Sequence, residues 1–251
     1  MRSHAALLVA IVLAGWSLPA GWAAETNVDQ VLGQLDQVGK NLKEFSAKVR
    51  LTETDDVGDH VVHAGNVYFQ RKSDSDARIH VAFDQRISNN RIYNEKTEYL
   101  LDDRWLTDRN YRSHNEVKRE VLQPGQRMNL FKLGEGPFPL PIGQSPADVH
   151  QESDVQLVPP AKDDPKNTVH IRLTPKPGTE LARRFRTIDV WVDQASHMPV
   201  RVDTEDKQSQ RATTELTDIV MNPPAGLKDA DFQLAAIDKT KWNSSVESLK
   251  Q

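Results

Sequence analysis

The stretch EFSAKVRLTETDDVGDHVVHAGNVYFQRKSDSDARIHVAFDQ, residues 44–85, decides the reading of this chain. Phe45, Ala47, Val49 and Leu51 alternate with Ser46, Lys48, Arg50 and Thr52. That is the period of two expected of a strand with one apolar and one wet face. A polar turn follows, Asp55-Asp56-Val57-Gly58-Asp59, in which Gly58 is free to take positive φ. A second strand carries Val61, Val67 and Phe69 on one face, and a third carries Ile79, Val81 and Phe83. Three consecutive strands of this kind predict a curved antiparallel sheet with one apolar side. Arg71 falls on the same face as Val67 and Phe69, which puts a guanidinium at the rim of that side. A charge there must find acceptors, because an unpaired buried charge is very costly. A carboxylate such as Asp84 or a strand-end carbonyl would serve, or the carbonyls of a lid that it holds shut.

Upstream of this meander, Thr26 or Asn27 can cap a helix in which Val28, Val31, Leu32, Leu35, Val38 and Leu42 form a single apolar stripe. The apolar side of the sheet is the natural seat for it. Farther upstream the chain reads as an address. Arg2 supplies a positive start, and Ala5 to Ala14 form an apolar run too short to span a bilayer. Gly21-Trp22-Ala23 offers small residues for cleavage after Ala23 or one residue later; a retained anchor is the alternative. No cysteine follows the apolar run, so an N-terminal lipid anchor on cysteine is excluded.

Residues 1–23 are therefore expected to be a signal peptide, 24–238 one domain, and 239–251 a loosely held tail, polar apart from Trp242. With no cysteine in an exported chain, stability must come from an ordinary core, which suits the bacterial envelope. A net charge of −4 with both signs mixed throughout argues against nucleic acid and against strong attraction to anionic lipid.

Downstream, shorter strands are expected at 91–94, 97–101, from Trp105, and at 117–122. Composition then changes. Gln126 to Leu133 reads as a short helix with Met128, Leu130 and Phe131. It runs into Gly134-Glu135-Gly136-Pro137-Phe138-Pro139-Leu140-Pro141-Ile142-Gly143. No regular element holds such a run. It is either a buried connection plugging the core or an apolar lid with glycine hinges. Strands return at 155–157, 169–173, 188–192, 198–202 and 210–221, and Asp229 to Phe232 looks like a helical turn. About eleven strands in one sheet are enough to curl on themselves and hide their edges.

Catalytic constellations are scarce. Gly143-Gln144-Ser145-Pro146-Ala147 only loosely matches a nucleophile elbow, with proline after the serine and no strand before it. His60 and His63 point to opposite faces of a strand and make a poor metal pair. His80 and His170 fall on polar strand faces and read as solvated. Glu53, Asp55, Asp56 and Asp59 read as a solvated turn. No phosphate-binding glycine loop is present. The sequence leans to binding rather than catalysis, with no cofactor and no metal expected.

Three blocks resemble the periplasmic lipoprotein carriers of the LolA superfamily. The first is the amphipathic helix with Leu42-Lys43-Glu44-Phe45-Ser46-Ala47-Lys48-Val49 and Gly65-Asn66-Val67-Tyr68-Phe69-Gln70-Arg71. The second is Thr187-Ile188-Asp189-Val190-Trp191-Val192-Asp193, then Pro199-Val200-Arg201-Val202 and Ala212 to Ile219. The third is Leu227-Lys228-Asp229-Ala230-Asp231-Phe232-Gln233-Leu234. The resemblance implies an unclosed half β-barrel, about eleven antiparallel strands covered by short helices, acting as a monomer. It implies a periplasmic carrier of lipoprotein acyl chains or lipid, with an inner-membrane transporter and an outer-membrane acceptor as partners. It also implies that Arg71 holds a lid closed. The family has proline at the next position where this chain has Lys72, and residues 94–167 do not align with it. The expected cavity and lid residues are Val67, Phe69, Arg71, Val81, Phe83, Trp105, Met128, Phe131 and Phe138. The alternative is a sensor or interaction module of the same fold, of the envelope-stress regulator type.

Overall fold

The computed structural model describes residues 27–73, 76–123 and 142–249. The expected signal segment, the helix at 126–133, and Met128, Phe131 and Phe138 lie outside the described residues.

Helix α1 (Val28–Asn41) leads directly into a meander of β1 (Glu44–Thr54), β2 (His60–Ser73) and β3 (Asp76–Ser88). Short strands follow: β4 (Arg91–Tyr93), β5 (Thr97–Asp102), β6 (Trp105–Asn110) and β7 (Asn115–Glu120). The second half holds α2 (Pro146–Glu152), β8 (Ser153–Val158), β9 (Thr168–Pro175), α3 (Glu180–Arg184) and β10 (Phe185–Asp193). It ends with β11 (Pro199–Asp206), β12 (Arg211–Met221), a 3-10 turn at Asp229–Phe232, and β13 (Asn243–Glu247). The strands form one unclosed sheet in the order β13-β7-β6-β5-β3-β2-β1-β12-β11-β10-β9-β8, with β4 paired to β3 off this path. Among the described residues, thirteen strands stand against about eleven expected. The tail carries no strand signal of its own, and β13 is made by parallel backbone pairing to β7.

β1 joins the two halves. It pairs with β2 through Phe45↔Phe69 and Val49↔Gly65, and with β12 through Phe45↔Met221 and Val49↔Leu216. Its alternation puts Phe45, Ala47 and Val49 into the core. The sheet's core face continues through Val67, Phe69, Ile79, Val81 and Phe83 on one side and Ile188, Val190 and Val192 on the other.

α1 lies on this face because its apolar stripe matches it. Val31, Leu32, Leu35 and Leu42 are buried, with Val28 and Val38 packed beside them. Asn27 caps the start of the helix, its Oδ1 accepting from Gln30 N at 2.7 Å, which satisfies one of the free N–H groups of the first turn. The end of the glycine- and proline-rich segment seats against α1: Gly143 N donates to Leu35 O at 3.2 Å. A side chain at Gly39 would penetrate Gly143 N and Ile142 Cγ2. This close approach requires glycine.

Gly39→Ala therefore separates packing from propensity. Alanine favours an isolated helix over glycine by about 1 kcal/mol. Here overpacking against the Gly143 backbone costs about 1–3 kcal/mol and outweighs that gain, for a net loss of up to about 2 kcal/mol, read as a lower midpoint in urea denaturation.

Candidate functional site

The rim of the core face is built by Arg71. Its Nε donates to Leu42 O at 3.1 Å and its Nη2 to Gly39 O at 2.8 Å, while its backbone N donates to Lys43 O at 2.6 Å. Gly39 O lies in the last turn of α1, where the helix leaves its carbonyls unsatisfied, and Leu42 O and Lys43 O follow in the connection to β1. A cation there also complements the negative end of the helix dipole. Asp84 is not its partner; the side-chain acceptors are the carbonyls of Gly39 and Leu42, where α1 runs into β1.

Beneath Arg71 the same face is apolar. Val67, Phe69, Val81 and Phe83 are all buried, Phe69 to 1 % exposure. Phe69 stacks on Phe45 with centroids 5.6 Å apart. The sequence-predicted set thus converges in four of its aromatic and aliphatic members plus Arg71. Trp105 is a correction. The turn at Asp103-Arg104, with Asp103 at φ 57, sets Asp102↔Trp105 and Leu101↔Leu106 as pairs. Leu101 is in the core with Leu106 packed against it, so the period of two sends Trp105 to the outer face. There Lys118 Nζ lies 4.9 Å from its ring.

Two histidines read as solvated are buried, because the outer face is itself covered in two places. At β3 and β5 the cover is the C-terminal segment. His80 Nδ1 donates to Asp231 O at 2.7 Å. Arg78 lies over the Phe232 ring at 4.0 Å and pairs with Asp229 at 2.6 Å. Arg109 donates to Ala235 O at 2.6 Å and pairs with Glu116. Glu98 sits at the centre, accepting from Tyr111 Oη at 2.5 Å and paired with Lys96 at 3.0 Å, with His80 Nε2 3.4 Å away. Burial pushes the Glu98 carboxyl up, but His80, Tyr111 and Lys96 outweigh it and bring it down to about 2. At β9 and β10 the cover is the loop at 159–167. Asp164 accepts from Trp191 Nε1 at 2.7 Å. His170 stacks on Trp191 at 4.0 Å and its Nε2 meets Asp189 Oδ1 at 2.7 Å.

Between these covers a cleft of about 640 Å³ crosses the outer face, lined among others by Lys48, Arg50, Asn66, Gln85, Lys166 and Arg201. Arg50 approaches Glu215 only to 3.9 Å. Among the described residues no group of three or more metal-ligating side chains gathers, and no helix is long and apolar enough to cross a membrane. Ser145, singled out for its loose elbow motif, caps α2: its Oγ accepts from Asp148 N at 3.2 Å and donates to Asp148 Oδ2 at 2.7 Å.

One residue of the rim escaped the sequence reading. Asn222, at φ 45, accepts on its Oδ1 from Lys43 N at 2.8 Å and Glu44 N at 3.1 Å, and donates from Nδ2 to Asn41 O at 3.3 Å. The run Asn222-Pro223-Pro224 signals a turn, but nothing local says that the turn grips a connection at the other end of the chain.

No family model matches the sequence, and no curated protein matches it. Solved structures do. An uncharacterized conserved protein from Thermus thermophilus aligns over 87% of this chain and 98% of its own, at 10% identity and TM-score 0.50. That likeness is one of fold: an open half-barrel with helices. A complex of Pseudomonas aeruginosa MucA and MucB aligns over 83% of this chain and 63% of that one, at 13% identity and TM-score 0.46. LolA superfamily proteins are among the similar structures. One from Nitrosomonas europaea aligns over 84% of this chain and 99% of its own, at 12% identity and TM-score 0.35.

The Glu98 cluster gives a pH test. Its folded pKa lies below the unfolded value of 4.5, so its stabilisation is complete above about pH 4.5 and is lost as pH falls through about 2. The depression corresponds to about 3 kcal/mol. Glu98→Gln should be less stable than the parent at pH 7 by an amount of this order. The gap should narrow steadily from pH 4.5 downward in urea titrations.

Proposed function

We propose that this chain is a non-enzymatic carrier of the cell envelope, acting in the periplasm, that holds acyl chains of a lipoprotein or lipid against the core face of its half-barrel. The observation that carries this reading is the way that face is closed. The apolar stripe of an amphipathic helix is buried in one core cluster with Val67, Phe69, Val81 and Phe83, and the end of that helix is fastened by Arg71 through backbone carbonyls. Apolar burial under α1 has no direction and can be exchanged for acyl burial at about 0.8 kcal/mol per methylene. The polar fastening fixes where the cover sits without depending on what lies beneath it. No step of chemistry is assigned to any residue; partners at the inner and outer membranes would load and unload the chain.

A second reading is an interaction module of the same fold. It is favoured by the outer-face cleft, where Lys166 and Gln85 make no side-chain ion pair or hydrogen bond among the described residues. In that reading a protein segment binds outside and the core face stays filled by its own side chains.

Native mass spectrometry of the detergent-free protein with and without oleate separates the two. The carrier reading expects a stoichiometric adduct. Arg71→Leu should keep the far-ultraviolet circular dichroism of the parent but change oleate release several-fold. A protein that takes up no oleate, with or without Arg71, would leave the interaction module as the reading to pursue.

A further inference from the structure

The polar contacts of α1 are distributed unevenly along it. At its C-terminal end, residues 39–44 are gripped from two sides. Arg71 reaches Gly39 O, Leu42 O and Lys43 O from β2. Asn222, just past β12, reaches Lys43 N, Glu44 N and Asn41 O with its side chain, and its own N donates to Glu44 O at 2.8 Å. The Glu44 carboxylate then takes Gln70 Nε2 at 3.2 Å and Leu227 N at 3.0 Å. Among the described residues, the middle of the helix is met by one backbone donor from outside, Gly143 N to Leu35 O. Among the same residues, the N-terminal end is held by apolar packing, and its one polar contact outside its own cap is Asp29 to His150 at 2.7 Å, both on the surface. An exposed pair of this kind contributes little.

From this we infer that Asn222 is the pivot of the cover. α1 swings about Asn41–Glu44 with its N-terminal end leading, and Arg71 braces the same pivot rather than latching a free end. The carrier reading supplies what the swing admits, and the inference rests on it for that alone. The lever is a simple one. Fourteen residues make a rod about 21 Å long. A rotation of about 20° then carries Val28 through about 7 Å and Lys40 through less than about 2 Å. Asn222 suits the pivot because its side chain offers both an acceptor and a donor, and asparagine tolerates the left-handed backbone that aims them back at the connection.

Spin-label distances test this directly, since the chain has no cysteine of its own. Two labelled pairs share a reference on the outer face of β12: Gln30→Cys with Thr217→Cys, and Lys40→Cys with Thr217→Cys. Adding oleate should shift and broaden the Gln30 distance and leave the Lys40 distance within its original width. In the ligand-free protein, Asn222→Gly keeps the backbone free to adopt φ 45 but removes the clasp, and should broaden the Lys40 distance. Asn222→Asp keeps the acceptor and should restore most of the narrow distribution. Equal movement of both labels with oleate bound, or no movement of either, overturns the swing. A Lys40 distance as narrow in Asn222→Gly as in the parent overturns the pivot. If mass spectrometry shows no oleate bound, the carrier reading fails, and the ligand-free distances of the two Asn222 variants still decide the pivot.

Discussion

Everything on the core face hangs from β1. It pairs with β2 on one side and with β12, near the other end of the chain, on the other. It is continuous with α1 through Leu42 and Lys43. Antiparallel pairing fixes register, and register fixes which side chains face inward. Because Phe45, Ala47 and Val49 are held inward by both neighbours, the apolar residues of β2, β3, β10 and β12 meet on a single face. Helix α1 then has one place to lie. The same pairing brings Asn222 beside Lys43, so the long-range closure of the sheet also builds the fastening of its cover.

The closure is thus of two chemical kinds. Between α1 and the sheet the contacts are apolar and non-directional, strong in sum but indifferent to exact position. At the rim they are directional: a guanidinium and an amide, each satisfying backbone groups that the end of a helix leaves open. In the proposed carrier, this division would let the cover return to one position after moving. The approach of Gly39 to Gly143 adds a steric limit, since the segment at 142–143 can sit there only while Gly39 lacks a side chain.

The outer face departs from the simple picture of a half-barrel with one wet side. The C-terminal segment crosses β3, β5 and β6, and the loop at 159–167 rests on Trp191. Each buries charged groups and pairs them: Glu98 with Lys96 and Tyr111, Arg109 with Glu116, Asp189 with His170 and Arg172. Removing one member of such a set leaves the others buried and unpaired, so these covers are bound to the sheet by chemistry specific to their positions. The cleft between them keeps polar groups at the surface.

The sequence by itself determined the strands of the meander, the stripe of α1, and the face on which Arg71 lies. Each of these is a local periodicity, two residues for a strand and 3.6 for a helix, written by the alternation of Phe45 to Leu51 and by the spacing of Val28 to Leu42. It also allowed Arg71 a choice of acceptors without selecting among them. Only the tertiary structure chose the carbonyls of Gly39 and Leu42. It alone turned Trp105 outward through the Asp103-Arg104 turn, buried His80 under the C-terminal segment and His170 between Trp191 and the loop that Trp191 holds, paired β13 with β7, and placed Asn222 against Lys43. The physical reason is common to all five. Each depends on residues far apart in the chain, or on a register that one turn residue can reverse, and periodicity carries information about neither.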